Sequence, residues 1–412
     1  MRRLGCDVIQ EVSKSNSTSF PFFPRWITPA LARATRDHPV VVLTGARQVG
    51  KSTLLLSERA LRGWRYQTLD DFDTLRQATE RPEALWAGAE RVIIDEVQKA
   101  PGVLSAVKPE VDRRKGRTRF IVSGSSTLLL WRNVTETLAG RAVYFVLDPM
   151  TRGELHRKKP SDLVARILAG AFPPDGETRV PTVDPVPLLL RGSMPALIHL
   201  ADPAAWIRWW DGYVSTYLER DLRGVSRIDA LVDFRRVMQL AALRSGQLVN
   251  QTEVARDAKL SQPTVHRYLN LLETTHLFER LPAYARSRTA RVLKSPKAFW
   301  ADAGLPVFLS GYYTADDLRG ARELGSFFEN LVYHHLRVGT RRGSTSGAPV
   351  NARRSTLSSS MDGESWPSRS PSNRTPATAK RRGCAASWRI TRRPPADSCF
   401  TRGNRSGAWI RP

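Results

Sequence analysis

Eight consecutive residues, Gly45-Ala46-Arg47-Gln48-Val49-Gly50-Lys51-Ser52, restrict the fold of this 412-residue chain more than any other segment. They match GxxxxGK[ST] at every fixed position. They lie between a short β-branched run, Pro39–Leu43, and a helical stretch that starts at Thr53. Gly45 and Gly50 permit the tight wrap that turns backbone N–H groups toward phosphate oxygens. Lys51 adds a cation for the β- and γ-phosphates, and the Ser52 hydroxyl can ligate Mg²⁺. The helix beginning with Thr53 offers its positive end. Gly45, Gly50, Lys51, Ser52 and Thr53 are therefore the candidate nucleotide-binding residues, with ATP and Mg²⁺ as ligands.

Further apolar runs follow at Tyr66–Leu69, Arg91–Ile94, Phe120–Val122 and Val143–Leu147, with helical stretches between them. Strands alternating with helices predict an α/β fold, a P-loop NTPase parallel sheet with flanking helices. The run RVII ends in Asp95-Glu96. A strand delivers Asp95 to the carboxyl edge of the sheet, where it can hold the magnesium water shell. Glu96, next in line, can activate an attacking water as a general base. Ser125, in Ser123-Gly124-Ser125, is placed to feel the γ-phosphate, with a plain turn as the competing reading. Arg141, in LAGR, is either an arginine finger acting on a neighbouring subunit of a homo-oligomer or a solvated side chain. Asp70 and Asp71 read as capping or solvated residues.

Composition divides the chain. Residues 339–412 carry 15 Lys+Arg against 3 Asp+Glu, which is +12 of a net charge of +25. A basic excess suggests a polyanionic partner, but nearly half of it is confined to this one segment. Three scattered cysteines, Cys6, Cys384 and Cys399, provide neither a disulfide framework nor zinc spacing, so a reducing, cytoplasmic location is expected. No apolar run approaches the roughly 18–20 residues of a membrane span. The expected organisation is an extension over 1–24 without a signal-peptide core, an ATPase core over 25–160, a linker or lid over 161–202, a helical domain over 203–338 and a disordered basic tail over 339–412.

Within the helical domain, Thr252–Ala258 and Pro263–Thr274 flank a turn at Leu260-Ser261, with Ser261 as N-cap. Val265, Leu269 and Leu272 fall on one face. Gln262, Thr264, His266, Arg267 and Asn270 fall on the other, where residues 261–270 can meet DNA; the competing reading is a helical hairpin or winged-helix fold used only for packing. Arg286, Arg288, Arg291 and Lys294 form a basic strip that suits phosphates or solvent. His334 and His335 read as ordinary helix residues.

Taken together, LTGARQVGKSTL (43–54), IDEVQKAP (94–101), FIVSGS (120–125), LAGR (138–141), YLERDL (217–222), FWADAGL (299–305) and FFENLVYHHL (327–336) resemble one family. It comprises bacterial and archaeal AAA+-type ATPases whose C-terminal half is a domain of unknown function. The resemblance runs from about Arg25 to Val338. It implies an ATP-binding core, Mg²⁺, a winged-helix-like appendage and a DNA-associated or defence-like role.

The family pattern next requires strands resembling WR…EVDFVVE…EVK, where this chain has Arg, Ser, Pro and Thr. Joining the third base of each codon to the first two of the next tests a shifted reading frame. From Ser344–Thr345 to Arg369–Ser370 the allowed codons permit YFWRTGQREEVDFVVEHGRRVVAVEV. The Met361–Asp362 junction can only give Gly, and the Trp366–Pro367 junction only Ala. A frameshift near Val338 accounts for the tail, and sequencing the gene there tests it. A stop in the alternate frame, or third bases that forbid these codons, would exclude it. The restored frame resembles a PD-(D/E)XK pattern led by Glu329, without its Lys. The chain as written lacks the strand carboxylates, so nuclease activity is not expected of it.

Three functional readings follow: an Mg²⁺-dependent ATPase coupled to its C-terminal half, a DNA-binding regulator switched by nucleotide, and a defective family member that binds ATP without the C-terminal activity.

Overall fold

The computed structural model describes residues 22–124, 138–162, 166, 170, 183–218, 231–284 and 294–341. Ser125, Arg286, Arg288, Arg291 and the basic tail from 342 onward lie outside the described residues.

Helix α1 (Thr28–Asp37) leads into β1 (Val40–Thr44), the loop, and α2 (Lys51–Ser57). Then come β2 (Arg65–Thr68), α3 (Phe72–Glu80), β3 (Arg91–Asp95), α4 (Gly102–Arg113), β4 (Arg119–Ser123), β5 (Ala142–Val146) and the single turn α5 (Arg152–Leu155). The five strands form one sheet in the order β2-β3-β4-β1-β5, and every pairing is parallel. The expected parallel α/β sheet is present. Its central strands are apolar because helices cover both faces. Val40, Val42, Val92, Ile94, Phe120 and Val122 pack on one side with Val103, Leu104 and Val107 of α4. Val41, Leu43, Ile93, Ile121, Val143 and Phe145 pack on the other with Leu31 of α1 and Leu54 of α2. This two-residue alternation is that of a pleated strand buried on both faces.

The second half consists of α6 (Val186–Arg191), α7 (Pro203–Gly212), α8 (Leu231–Leu243), α9 (Gln251–Ala258), α10 (Gln262–Thr274), β6 (Phe278–Leu281), β7 (Lys297–Trp300), α11 (Gly304–Leu309), α12 (Ala315–Gly320) and α13 (Leu324–Arg341). Ser261 caps α10 by accepting from the Thr264 amide, and Val265, Leu269 and Leu272 are buried, as the spacing requires. The antiparallel pair β6–β7 follows α10, and Leu248 bridges to Lys297 beside it.

Helix α7 ends at Gly212, and Tyr213–Leu218 then form a π-helical turn. Trp209, Trp210 and Tyr213 crowd that junction, with ring centroids 4.9–5.7 Å apart. Val186, Leu189, Met194 and Leu197, placed by sequence in a linker or lid, are buried in the same apolar core as β1, Trp210, Phe234, Trp300 and Phe327. Burying each such side chain stabilises the fold by roughly 1.5–3 kcal/mol, so this segment joins the two halves into one core.

Helix α13 completes the packing. Asn330, fully buried, accepts from the Trp300 amide at 2.7 Å and the Ser245 hydroxyl at 3.0 Å, and donates to the Trp300 carbonyl at 3.1 Å. The opposite face of α13 exposes Phe328, Val332 and Leu336, spaced four residues apart. Glu329 is partly exposed and pairs with Lys297. Among the described residues, no group of three or more His, Cys, Asp or Glu side chains is arranged to hold a metal ion. No helix among them is long and apolar enough to cross a membrane.

Candidate nucleotide site

The chain runs from β1 across β4 and β3 to β2, while β5 lies on the other side of β1. The loop after β1 therefore opens at a switch in strand order, where open α/β sheets bind ligands. Gly45 has φ 149°, and a Cβ there would stand 2.3 Å from the Leu147 carbonyl oxygen, so only glycine fits. Gly50 has φ 91° and caps α2 in the left-handed region. The first intrahelical bond runs from the Leu54 amide to the Gly50 carbonyl at 2.9 Å. The geometry of a helix start therefore leaves the Gly50, Lys51, Ser52 and Thr53 amides for an anion.

Lys51 is 5% exposed, and its Nζ donates to the carbonyls of Gly45 at 3.2 Å and Ala46 at 3.1 Å. Burial lowers its pKa to about 8, although Glu96 and Asp95 pull the other way. A buried cation held by carbonyls of its own loop is placed to transfer those donors to a polyphosphate.

Asp95 and Glu96 end β3 at the same edge, because Thr68 stands level with Asp95 and Leu43 with Ser123. Asp95 is 1% exposed. Its Oδ2 accepts from the Tyr66 hydroxyl at 2.6 Å, and its Oδ1 accepts from the Glu96 amide at 3.0 Å and from the Ser123 hydroxyl. A carboxylate with three donors is fixed in direction and suited to hold metal-bound water. Glu96 adopts φ 57°, a left-handed conformation rare for Glu, and accepts from the Gln98 amide group. Burial raises its pKa, the direction that favours a general base. The side chains present therefore fit a magnesium nucleotide: a buried cation, a hydroxyl on the first helical turn and a fixed carboxylate.

Ser125 is outside the described residues; at the end of β4 it is Ser123 that touches Asp95. Arg141 precedes β5 at the opposite edge of the sheet, separated from the loop by about 17 Å of strand at ~3.3 Å per residue. There it makes a bidentate pair with Asp112 at 2.7 and 2.9 Å. Arg141 thus does not reach its own chain's loop. Asp71 caps α3, accepting from the Thr74 amide at 2.8 Å, and Asp70 pairs with Lys99 at 2.5 Å, as capping and surface residues.

Two contributors were not visible in sequence. Tyr66 stands out only as an aromatic on a polar edge strand, RYQT, until the β2–β3 register is known. Arg25, 6% exposed, donates to the Val49 carbonyl inside the loop at 3.0 Å, to the Asp148 carbonyl at 2.5 Å and to Glu154 at 3.3 Å. The Asp148 side chain in turn pairs with buried Arg337 of α13, which also bonds Glu279 of β6 at 2.8 Å. A continuous polar path thus links the loop to the second half.

Residues 37–156 match the family described as AAA domain, and residues 185–316 match a domain of unknown function, DUF8612. Residues 37–156 are an AAA domain of the P-loop type. The chain is also 30% identical over 308 residues to the uncharacterized proteins Rv2008c of Mycobacterium tuberculosis and Mb2031c of Mycobacterium bovis. These alignments cover 74% of this chain and 64% of each relative, so the chain spans less than two thirds of their length. Among solved structures, the Walker-type ATPase paby2304 of Pyrococcus abyssi aligns with a TM-score of 0.42 at 18% identity, covering 70% of this chain and 96% of that one. In the AAA domain of this chain the loop, Asp95 and Glu96 lie at one edge, whereas Arg141 lies at the other.

Proposed function

We propose that the chain is a magnesium-dependent ATPase whose AAA domain acts on its C-terminal half. The observation that carries this reading is the juxtaposition of buried Lys51 with Asp95 and Glu96. Lys51 and the α2 amides hold the β- and γ-phosphates. Ser52 and Asp95 hold Mg²⁺, which when bound neutralises charge developing on the phosphates. Glu96 takes a proton from the water that attacks the γ-phosphorus. The bond to the β–γ bridging oxygen breaks, and ADP and inorganic phosphate leave. Phosphate release by wild type, Lys51→Ala and Glu96→Gln tests this; equal rates in all three overturn it.

Lys51 also sets a pH dependence. In the nucleotide-free protein its charge is lost as pH rises through about 8, whereas bound phosphates favour the charged form. ADP affinity therefore falls above pH 8, and binding there takes up a proton. Calorimetry in buffers of different ionisation enthalpy measures that uptake, and Lys51→Met abolishes it.

A second reading is a winged-helix DNA-binding regulator switched by nucleotide. It is favoured by the α8–α9–α10 and β6–β7 arrangement with Gln262, His266 and Arg267 exposed. Asn270 is less available, because it accepts from Arg280. Under this reading, DNA affinity falls steeply with salt and changes with nucleotide. Salt-insensitive binding, or none, rejects it. Arg141 enters either reading only across a subunit contact, after leaving Asp112.

A further inference from the structure

We infer that Arg25 is a positioning residue of the phosphate loop: its guanidinium holds the Val49 carbonyl and so turns the Gly50 N–H toward a bound phosphate. The inference rests on the proposed nucleotide site and extends it to a residue that precedes α1.

Arg25 is 6% exposed, and each nitrogen of its guanidinium has its own acceptor. One terminal nitrogen donates to the Val49 carbonyl at 3.0 Å and the other to the Asp148 carbonyl at 2.5 Å. Nε donates to Glu154 Oε1 at 3.3 Å. Glu154 is itself fixed. Its Oε1 also accepts from the Trp26 amide at 2.7 Å, and its Oε2 accepts from the Thr151 amide at 2.8 Å. Two nitrogens of the fork are therefore anchored on residues beyond β5, and the third reaches the loop.

The peptide that joins Val49 to Gly50 is trans and planar, so its C=O and N–H point in opposite directions. Fixing the carbonyl on Arg25 directs the Gly50 N–H away from Arg25. The carbonyls of Gly45 and Ala46 face Lys51, whereas that of Val49 is drawn off to Arg25. The amides of a phosphate loop must converge on one anion, and Arg25 supplies the restraint for this one. The local backbone does not enforce the direction. Gly50 has φ 91° and, as a glycine, tolerates either sign of φ. A flip of the 49–50 peptide is open to it, and would present an oxygen to the phosphate and withdraw the donor. Arg25 opposes that flip with a charge-assisted hydrogen bond. Lysine is no substitute, because one ammonium lacks the planar fork that meets three acceptors at once.

Arg25→Lys keeps the charge beside Glu154 and removes the fork. Calorimetry with ADP in EDTA, so that no metal takes part, is expected to show affinity about tenfold below wild type, the scale of one hydrogen bond to a charged group. Amide spectra of protein labelled with ¹⁵N-glycine and ¹⁵N-lysine show where the loss arises. Saturating ADP is expected to move the Gly50 and Lys51 amide protons of wild type downfield. In Arg25→Lys the Gly50 movement shrinks and the Lys51 movement stays. Unchanged ADP affinity overturns the inference, as does a Gly50 movement equal to that of wild type. An equal loss at Gly50 and Lys51 also overturns it, because the whole loop is then disturbed. If Arg25→Lys does not fold, Arg25→Gln combined with Glu154→Gln, which strands no charge, is held to the same expectations. Failure of both to fold overturns the inference, since Arg25 then serves the fold and not the loop. Wild-type protein that binds no ADP overturns the nucleotide-site reading as well, whereas normal wild-type binding with an unchanged Arg25→Lys variant refutes the role of Arg25 alone.

Discussion

Glu96→Gln lowers ATP turnover by about 10²–10⁴-fold, the usual contribution of a positioned general base, while ADP and ATP still bind. The amide keeps the size of the carboxylate and can still bond Gln98, so the left-handed backbone at residue 96 and the amide bond to Asp95 survive. Only the capacity to accept a proton is lost. Burial holds the Glu96 pKa above its ordinary value, so the wild-type rate falls as pH drops through that raised pKa, and the Gln variant lacks this limb. Lys51→Ala differs in kind: it loses the buried cation and weakens binding itself, by roughly 1.5–3 kcal/mol for a charged hydrogen-bonding group. Single-turnover phosphate release with nucleotide binding measured separately distinguishes the two. A Glu96→Gln variant within tenfold of wild type would remove Glu96 from the chemistry.

Arg337→Met destabilises the protein by about 3–5 kcal/mol, as expected when one partner of a buried ion network is deleted. The Arg337 side chain is 8% exposed, and it pairs with Asp148, itself 5% exposed, and with Glu279. These two carboxylates raise its pKa, overcoming the opposing effect of burial. Met matches much of the volume but leaves Asp148 charged and enclosed. Replacing Asp148 by Asn in the same chain restores part of the loss, because the stranded charge is removed. Urea denaturation of the wild type and these two variants measures both effects. A loss under about 1 kcal/mol would show that the network is not a stability determinant. The Asp148 carbonyl also accepts from Arg25, which holds the Val49 carbonyl of the loop. The Met variant is therefore expected to weaken ADP binding modestly as well, a change that calorimetry on the folded protein detects.

Much of the candidate site was legible before any fold was known. The glycine spacing around Ala46–Val49 is needed because phosphate amides must converge, and an apolar strand ending in Asp95-Glu96 brings its carboxylates to the sheet edge. Both are local consequences of backbone geometry. Tyr66 was not legible because its partner Asp95 lies 29 positions away, and the two meet only through the parallel register. The 161–202 region reads as a linker or lid because residues 170–187 are rich in Pro, Gly and Thr, yet Val186, Leu189, Met194 and Leu197 are buried. Their burial depends on what packs against them.

The sequence by itself determined the strand–loop–helix unit, the αβ alternation and the capped α9–α10 pair, since each follows from interactions spanning only a few residues. Tertiary structure decided that Arg141 stands at the far edge of the sheet, that Ser123 holds Asp95 and that Arg25 braces the loop. It also joined the AAA domain and the helical half through one apolar core. These outcomes depend on strand order and long-range burial, which no short stretch of chain encodes.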